Sequence, residues 1–179
     1  MHRHLLLAPA LALASLATPA AAQEVFAGVY KHAVDTPFTL NSGEGGMDFE
    51  LGYRFARLKG LKLIGKPAPY VIASLNSQGD TSFAGAGLSW KLGKGPVYAR
   101  PGVGLIVHTG PSLRVGPDGL RTDLGSRVLF EPEMALGLRL SPTVAVEASW
   151  VHISNARLFN HRQNPGIDMW GVRLAYALR

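Results

Sequence analysis

Alternation with a period of two, in segments of about ten residues, constrains this chain more than any other feature. Eight segments carry it, at 24–32, 47–55, 69–76, 80–91, 96–107, 127–139, 143–153 and 168–178. In 47–55, Phe49, Leu51, Tyr53 and Phe55 share one face, while Asp48, Glu50, Gly52 and Arg54 share the other. In 127–139, Val128, Phe130, Met134, Leu136 and Leu138 oppose Glu131, Glu133, Ala135, Gly137 and Arg139. Segments 143–153 and 168–178 repeat the pattern, with Val144, Val146, Ala148 and Trp150 against Glu147 and Ser149, and Trp170, Val172, Leu174, Tyr176 and Leu178 against Gly171, Arg173 and Ala175. About ten residues of tilted strand cross a bilayer, whereas a helix needs about 20 apolar residues in a row. Beyond the first 22 residues no such apolar run exists.

Those first residues read as an export signal. Arg3 supplies a basic start, Leu5 to Ala17 an apolar stretch, and Ala20-Ala21-Ala22 a small-residue cleavage site before Gln23. The expected division is therefore a signal peptide, 1–22, and one domain, 23–179. No Cys occurs anywhere, which excludes a lipid-modified cysteine, disulfides and thiolate metal sites. Without Arg3 the chain carries 17 Lys and Arg against 12 Asp and Glu, a formal charge of +5. The basic residues are scattered, so an exported chain of this kind points to an anionic lipid surface and not to nucleic acid.

An exported chain with eight such segments and no helical span is expected to be all-β, an eight-stranded antiparallel transmembrane β-barrel in the cell outer membrane. A soluble sandwich or a lipocalin-like barrel would bury the apolar faces and wet the polar ones. Here the polar faces carry charges of both signs, which suits a packed barrel interior where they pair. Eight strands leave room for side chains and no pore. Gly93-Lys94-Gly95 and Ser141-Pro142 read as tight periplasmic turns. The links 33–46, 108–126 and 154–167 are long and polar, and read as extracellular loops. The link 56–68, with Lys59, Lys62 and Lys66, is long for a periplasmic turn.

One local pattern can carry chemistry. On a strand His152 and Ser154 point to the same side, with Cα atoms roughly 6.6 Å apart. A serine hydroxyl becomes a competent nucleophile when a neighbouring base takes its proton, and a third group must orient that base. Asp168, opening the next strand, is placed to orient His152, and the Asn155 amide is placed to donate to an oxyanion. His152 and Ser154 continue the face of Val144, Val146, Ala148 and Trp150, and Asp168 continues that of Trp170, Val172 and Leu174. All three are therefore expected on the lipid-facing outside, at the extracellular rim. Polar residues also mark the point where a strand leaves a membrane, and spacing alone leaves that reading open. His161 reads as a solvated loop residue, and His32 and His108 have no partner at a diagnostic spacing. No metal or other cofactor is expected, since no His, Asp or Glu cluster has ligand spacing.

These residues resemble the lipid A 3-O-deacylase family. The resemblance rests on His152-Ile153-Ser154-Asn155, on Asn164-Pro165-Gly166-Ile167-Asp168, and more loosely on Val25 to Tyr30 and Leu51 to Arg54. It implies an outer-membrane esterase that hydrolyses the 3-O-linked acyl chain of lipid A, the membrane anchor of lipopolysaccharide. It implies Ser154 as nucleophile, His152 as base and Asp168 in the acidic role, where Glu is the family's commoner choice. It also implies an oxyanion hole from Asn155 and the backbone N–H of Arg157, a position where the family often has Gly. Basic residues at the rim, Arg114, Arg121, Arg157 and Arg162, would meet phosphates. The alternative is a non-catalytic small outer-membrane barrel with a structural or adhesive role, and a homodimer stays open.

Overall fold

The computed structural model describes residues 23–178, so the expected signal peptide lies outside the described residues. Strands β1 (Gln23–Lys31), β2 (Met47–Arg54), β3 (Ala68–Asn76), β4 (Phe83–Ser89), β5 (Val97–His108), β6 (Val128–Arg139), β7 (Val144–Ile153) and β8 (Ile167–Leu178) follow one another antiparallel. They close into a barrel in chain order, and β1 pairs with both β2 and β8, which leaves no open edge. The eight expected segments are the eight strands. The expected 80–91 shrinks most, because Asp80 and Ser82 belong to a turn held by Asp80 N–H on Asn76 Oδ1 (3.2 Å) and Ser82 N–H on Thr109 Oγ1 (3.0 Å).

The long link between β2 and β3 prolongs that hairpin. Phe55 N–H bonds to Pro69 O and Leu58 N–H to Pro67 O, both at 2.8 Å, and a single 3-10 turn (Lys62–Ile64) caps the excursion. Trp90 Nε1 donates to Ile64 O at 2.6 Å and ties this turn to the end of β4.

The two faces divide as the alternation requires. Phe49, Leu51, Leu105, Leu136, Val172 and Leu174 are exposed on the outside, while Glu50, Arg54, Arg100, Glu131, Glu133, Glu147 and Arg173 are buried inside. Charges inward and Leu and Val outward invert a water-soluble fold. Lipid is the solvent in which such a surface is stable, and a closed sheet satisfies every backbone group that water cannot reach there.

Two devices fill the interior. The first is an ion-pair network centred on Arg173, which donates to Glu50 (2.8 Å), Glu133 (2.7 Å) and Glu147 (3.5 Å). Arg100 joins the same network through Glu147 (2.8 Å) and Glu24 (2.7 Å). The second device sets each of four interior aromatics opposite a glycine on the neighbouring strand. The register pairs are Phe26 with Gly52, Tyr30 with Gly171, Tyr70 with Gly87 and Tyr98 with Gly137. A Cβ at Gly52 would stand 2.1 Å from the Phe26 ring, and one at Gly137 2.2 Å from the Tyr98 ring. Each ring therefore lies flat over a wall position that only glycine leaves vacant, and a slipped register would drive it into a side chain. Arg54 and Arg173 then stack over the Phe26 ring at 4.0 and 4.7 Å.

Removing the hub should unfold the network from the middle. Arg173→Met leaves three buried carboxylates without their shared partner, and breaking a buried pair costs about 3–5 kcal/mol. A lower urea midpoint in detergent micelles is expected, and an unchanged midpoint would show that the network does not hold the barrel.

Candidate active site

The site forms where β7 and β8 reach the long-loop end. In the β7–β8 register His152 stands directly opposite Asp168. Its Nδ1–H donates to Asp168 Oδ1 at 2.7 Å. That hydrogen bond fixes the tautomer in which Nε2 is unprotonated and able to accept a proton. Ser154 lies just past β7 but stays in register with β6, through a bridge to Phe130 made by Phe130 N–H on Ser154 O (2.7 Å) and Ser154 N–H on Phe130 O (3.1 Å). No hydrogen bond joins Ser154 Oγ to His152 among the described residues. Such contacts commonly tighten only when substrate is bound.

Burial follows the expected parity at His152, whereas Ser154, expected on the lipid-facing outside, is buried. Val151 and Ile153 face the core, whereas the His152 side chain, on the other face, keeps 14% of its surface exposed. Asp168 follows the outward parity of Trp170 and Val172 and yet is fully buried. Three donors cover it. Besides His152, Trp150 Nε1 donates to Oδ1 at 3.1 Å, and the Thr36 hydroxyl donates to Oδ2. Trp150 also stacks against the His152 ring, at a centroid distance of 6.0 Å and an interplanar angle of 26°. Thr36 arrives on the 32–46 loop, which is tied down by Val34 N–H on Asp168 O (2.9 Å) and Leu40 N–H on Pro165 O (3.1 Å).

Gly166 also packs close to the ring. Its φ is +69°, and a Cβ there would stand 2.8 Å from His152 Cε1. Both facts demand glycine. Thr36, Trp150 and Gly166 have no assigned role in the sequence reading. Trp150 shares the parity of His152, and that was the available signal. Thr36 lies 132 residues from Asp168, and its position depends on how a loop closes.

The oxyanion assignment meets a different arrangement. Both Nδ2 hydrogens of the buried Asn155 go to backbone carbonyls, Leu124 O at 2.9 Å and Gln163 O at 2.6 Å. Its Oδ1 accepts the Arg157 N–H at 2.8 Å. The two expected oxyanion donors are thus occupied within the chain, where they pin the 109–127 and 154–166 loops together. Arg157 takes a left-handed φ of +58°, which explains why glycine suits this position. Asn164 supports the same joint, since its Oδ1 accepts the Asn155 N–H at 2.8 Å.

The rim cations sort into two groups. Arg114 pairs with Glu44 and donates to Thr122 O at 2.7 Å. Arg121 grips Asp123 with bonds of 2.6 and 3.1 Å. Burial raises the pKa of the Asp123 carboxyl, but the Arg121 guanidinium and the Arg114 N–H outweigh it and hold the group below its ordinary value. Arg157 and Arg162 make no ion pair among the described residues. The buried His32, unassigned from sequence, bridges Glu44 and Asp48 at 2.7 Å each and anchors the loop that carries Thr36.

A family model described as lipid A 3-O-deacylase (PagL) matches residues 30–177. The chain belongs to this family. Among solved structures, the outer membrane enzyme PagL superposes with a TM-score of 0.61 at 19% identity, over 87% of this chain and 99% of that one. Neisserial surface protein A gives 0.55 at 10% identity, over 87% and 97% of the two chains. A de novo designed transmembrane β-barrel gives 0.51 at 15% identity, over 88% and 96%. At these identities the structural likeness shows the fold alone, the eight-stranded barrel of outer-membrane proteins. No curated protein matches the chain in sequence. Membership of the PagL family places it in the outer membrane as a lipid A deacylase.

The packing around His152 gives a test. Gly166→Ala should displace the ring while leaving the barrel intact, and a misplacement of this kind costs about a hundredfold in rate. Hydrolysis at the wild-type rate, in a variant that keeps its heat-modifiable migration, would show that the ring position is not critical.

Proposed function

We propose that the chain hydrolyses the 3-O-linked acyl ester of lipid A by a Ser-His-acid mechanism, as a serine carboxylic-ester hydrolase. The observation that carries this reading is the 2.7 Å bond from His152 Nδ1 to Asp168, on the outward face two residues from Ser154. A fixed imidazole tautomer on a lipid-facing wall serves little purpose in holding a barrel together. It suits a substrate whose ester lies at the boundary between headgroup and acyl chains.

In this mechanism Ser154 Oγ attacks the ester carbonyl while His152 Nε2 takes its proton. Asp168 holds the imidazole and stabilises the imidazolium without taking a proton itself. The tetrahedral intermediate collapses, the bond between the acyl carbonyl carbon and the sugar's 3-oxygen breaks, and His152 gives the proton to that departing oxygen as it becomes the 3-hydroxyl. Water, activated by the same histidine, then cleaves the acyl-serine ester. The developing oxyanion lies on the Asn155 and Arg157 side. Each donor must share or release its present acceptor to serve it, so the two joined loops adjust as substrate binds.

Lipid A incubated with the refolded protein should lose a 3-hydroxy fatty acid, read by mass spectrometry, at a rate that chelators leave unchanged. Loss of turnover on chelation would replace the simple serine mechanism with a metal-dependent one. Ser154→Ala and His152→Ala should each lower the rate by about a millionfold, below detection. Asp168→Asn should cost about ten-thousandfold and leave a measurable residue. Wild-type turnover in Asp168→Asn would remove that residue from the mechanism and leave the Ser–His pair standing.

A further inference from the structure

The barrel has a polar cavity at the opposite end from His152. It has a volume of 310 Å³ and opens where β1 begins, β8 ends and the short turns lie, which in an outer-membrane barrel is the periplasmic end. Arg54, Arg57, Lys91, Arg100 and Arg139 line it, and among the described residues Glu24 is the one carboxylate in its wall. These residues come from β1, β2, β5, β6 and the segments that follow β2 and β4, so the barrel ring itself brings them together.

Glu24 cannot neutralise this group. Arg100 holds it at 2.7 Å, and Arg54 and Lys91 reach it only at 3.4 Å. Below it, Glu147 takes a second bond from Arg100, at 2.8 Å. Arg57 and Arg139 make no ion pair among the described residues, and Arg57 is aimed by a 2.9 Å bond from Nη2 to Lys91 O. Arg54 is buried; its Nη2 lies 3.7 Å from Glu147 and 3.8 Å from Glu133 in the interior network, and its Nε has no hydrogen-bond partner among the described residues. Burial lowers the pKa of the Lys91 ammonium; Glu24 raises it, and Arg100 and Arg139 push it down again to a value below that of an ordinary lysine.

Like charges converging on one partly enclosed space, with guanidinium N–H groups unspent, are stabilised by an anion carrying several acceptor oxygens. A single carboxylate offers two oxygens and one charge. A phosphate group offers more of both, and planar guanidinium groups match its geometry. At 310 Å³ the cavity meets the lower bound of small-molecule sites, about 300 Å³. We propose that the periplasmic mouth of this barrel is a binding site for a phosphate group. Two sources supply that chemistry there: soluble phosphate or its esters in the periplasm, and the headgroup of an anionic phospholipid in the inner leaflet. The site is remote from His152, and its occupancy does not depend on the deacylase mechanism.

Calorimetric titration of the refolded protein, in phosphate-free nonionic micelles, tests the site directly. One arm uses inorganic phosphate and the other short-chain phosphatidylglycerol. Saturable binding in at least one arm is expected, weakening as salt is raised. The double variant Arg57→Gln/Arg139→Gln alters two exposed side chains outside the interior network and should keep its heat-modifiable migration. It should weaken binding by about tenfold or more, since it removes charge-assisted donors. Binding in the phosphate arm alone assigns a soluble ligand, and binding in the phosphatidylglycerol arm assigns a lipid headgroup. No saturable binding in either arm, or equal affinity in the double variant, would overturn the site.

Discussion

The structure depends on charges that neutralise one another inside a closed wall. Eight strands enclose a lumen too narrow for bulk water, so every polar side chain turned inward must find a partner or destabilise the fold. Arg173 meets this demand with bonds to Glu50, Glu133 and Glu147, three carboxylates from three strands. A hydrophobic filling would pack as well. It would also make both faces of every strand apolar and erase the alternation that tells the chain which side faces lipid. The buried network thus specifies the inside as much as it stabilises it, and the Gly–aromatic pairs fix the register that brings the charges together.

A rigid wall allows a polar cluster to sit on its outer surface. A carboxylate on the lipid side of a barrel is costly when bare. Asp168 is not bare: His152, Trp150 and Thr36 supply donors from β7 and from the first long loop, and the residue is fully buried. Trp150 and Gly166 pack close to the same imidazole and restrict it further. The His32 bridge to Glu44 and Asp48 extends this support, because it anchors the loop that delivers Thr36. The lumen end and the lipid-face site are therefore joined through one loop.

How much of this was legible in the sequence depends on the range of the interaction. The strands were legible because side-chain direction repeats every two residues, a local property. Parity also set His152, Ser154 and Asp168 on one outer face, since it propagates along a strand without knowledge of its neighbours. Register does not propagate in this way. That Tyr98 lies over Gly137 follows from which residues pair across strands, and the sequence alone offered only a surplus of glycine. The loops were least legible. Asn155 looked like a free amide beside a nucleophile, but its acceptors, Leu124 O and Gln163 O, are backbone atoms of segments whose course no periodicity describes.

The loops' internal bonding bears on how the site would work. Asn155 joins the 109–127 loop to the 154–166 loop, and the left-handed backbone at Ala156 and Arg157 turns the chain sharply away from Ser154. Left-handed residues other than glycine each cost about 1–2 kcal/mol, so this turn persists because the surrounding bonds hold it. Phe159, farther along the same loop, stacks on Phe130 at 5.4 Å, and Phe130 is the bridge partner of Ser154. The nucleophile candidate is thus flanked by a strained turn on one side and an apolar stack on the other. The imidazole and its carboxylate stand on the wall, where they are rigid. The donors that an oxyanion would need stand on a joint between loops, where substrate contact can redirect them. In the proposed mechanism, a site divided in this way would keep its base aligned in the resting state and complete its electrostatic complement when an acyl ester lies against the wall.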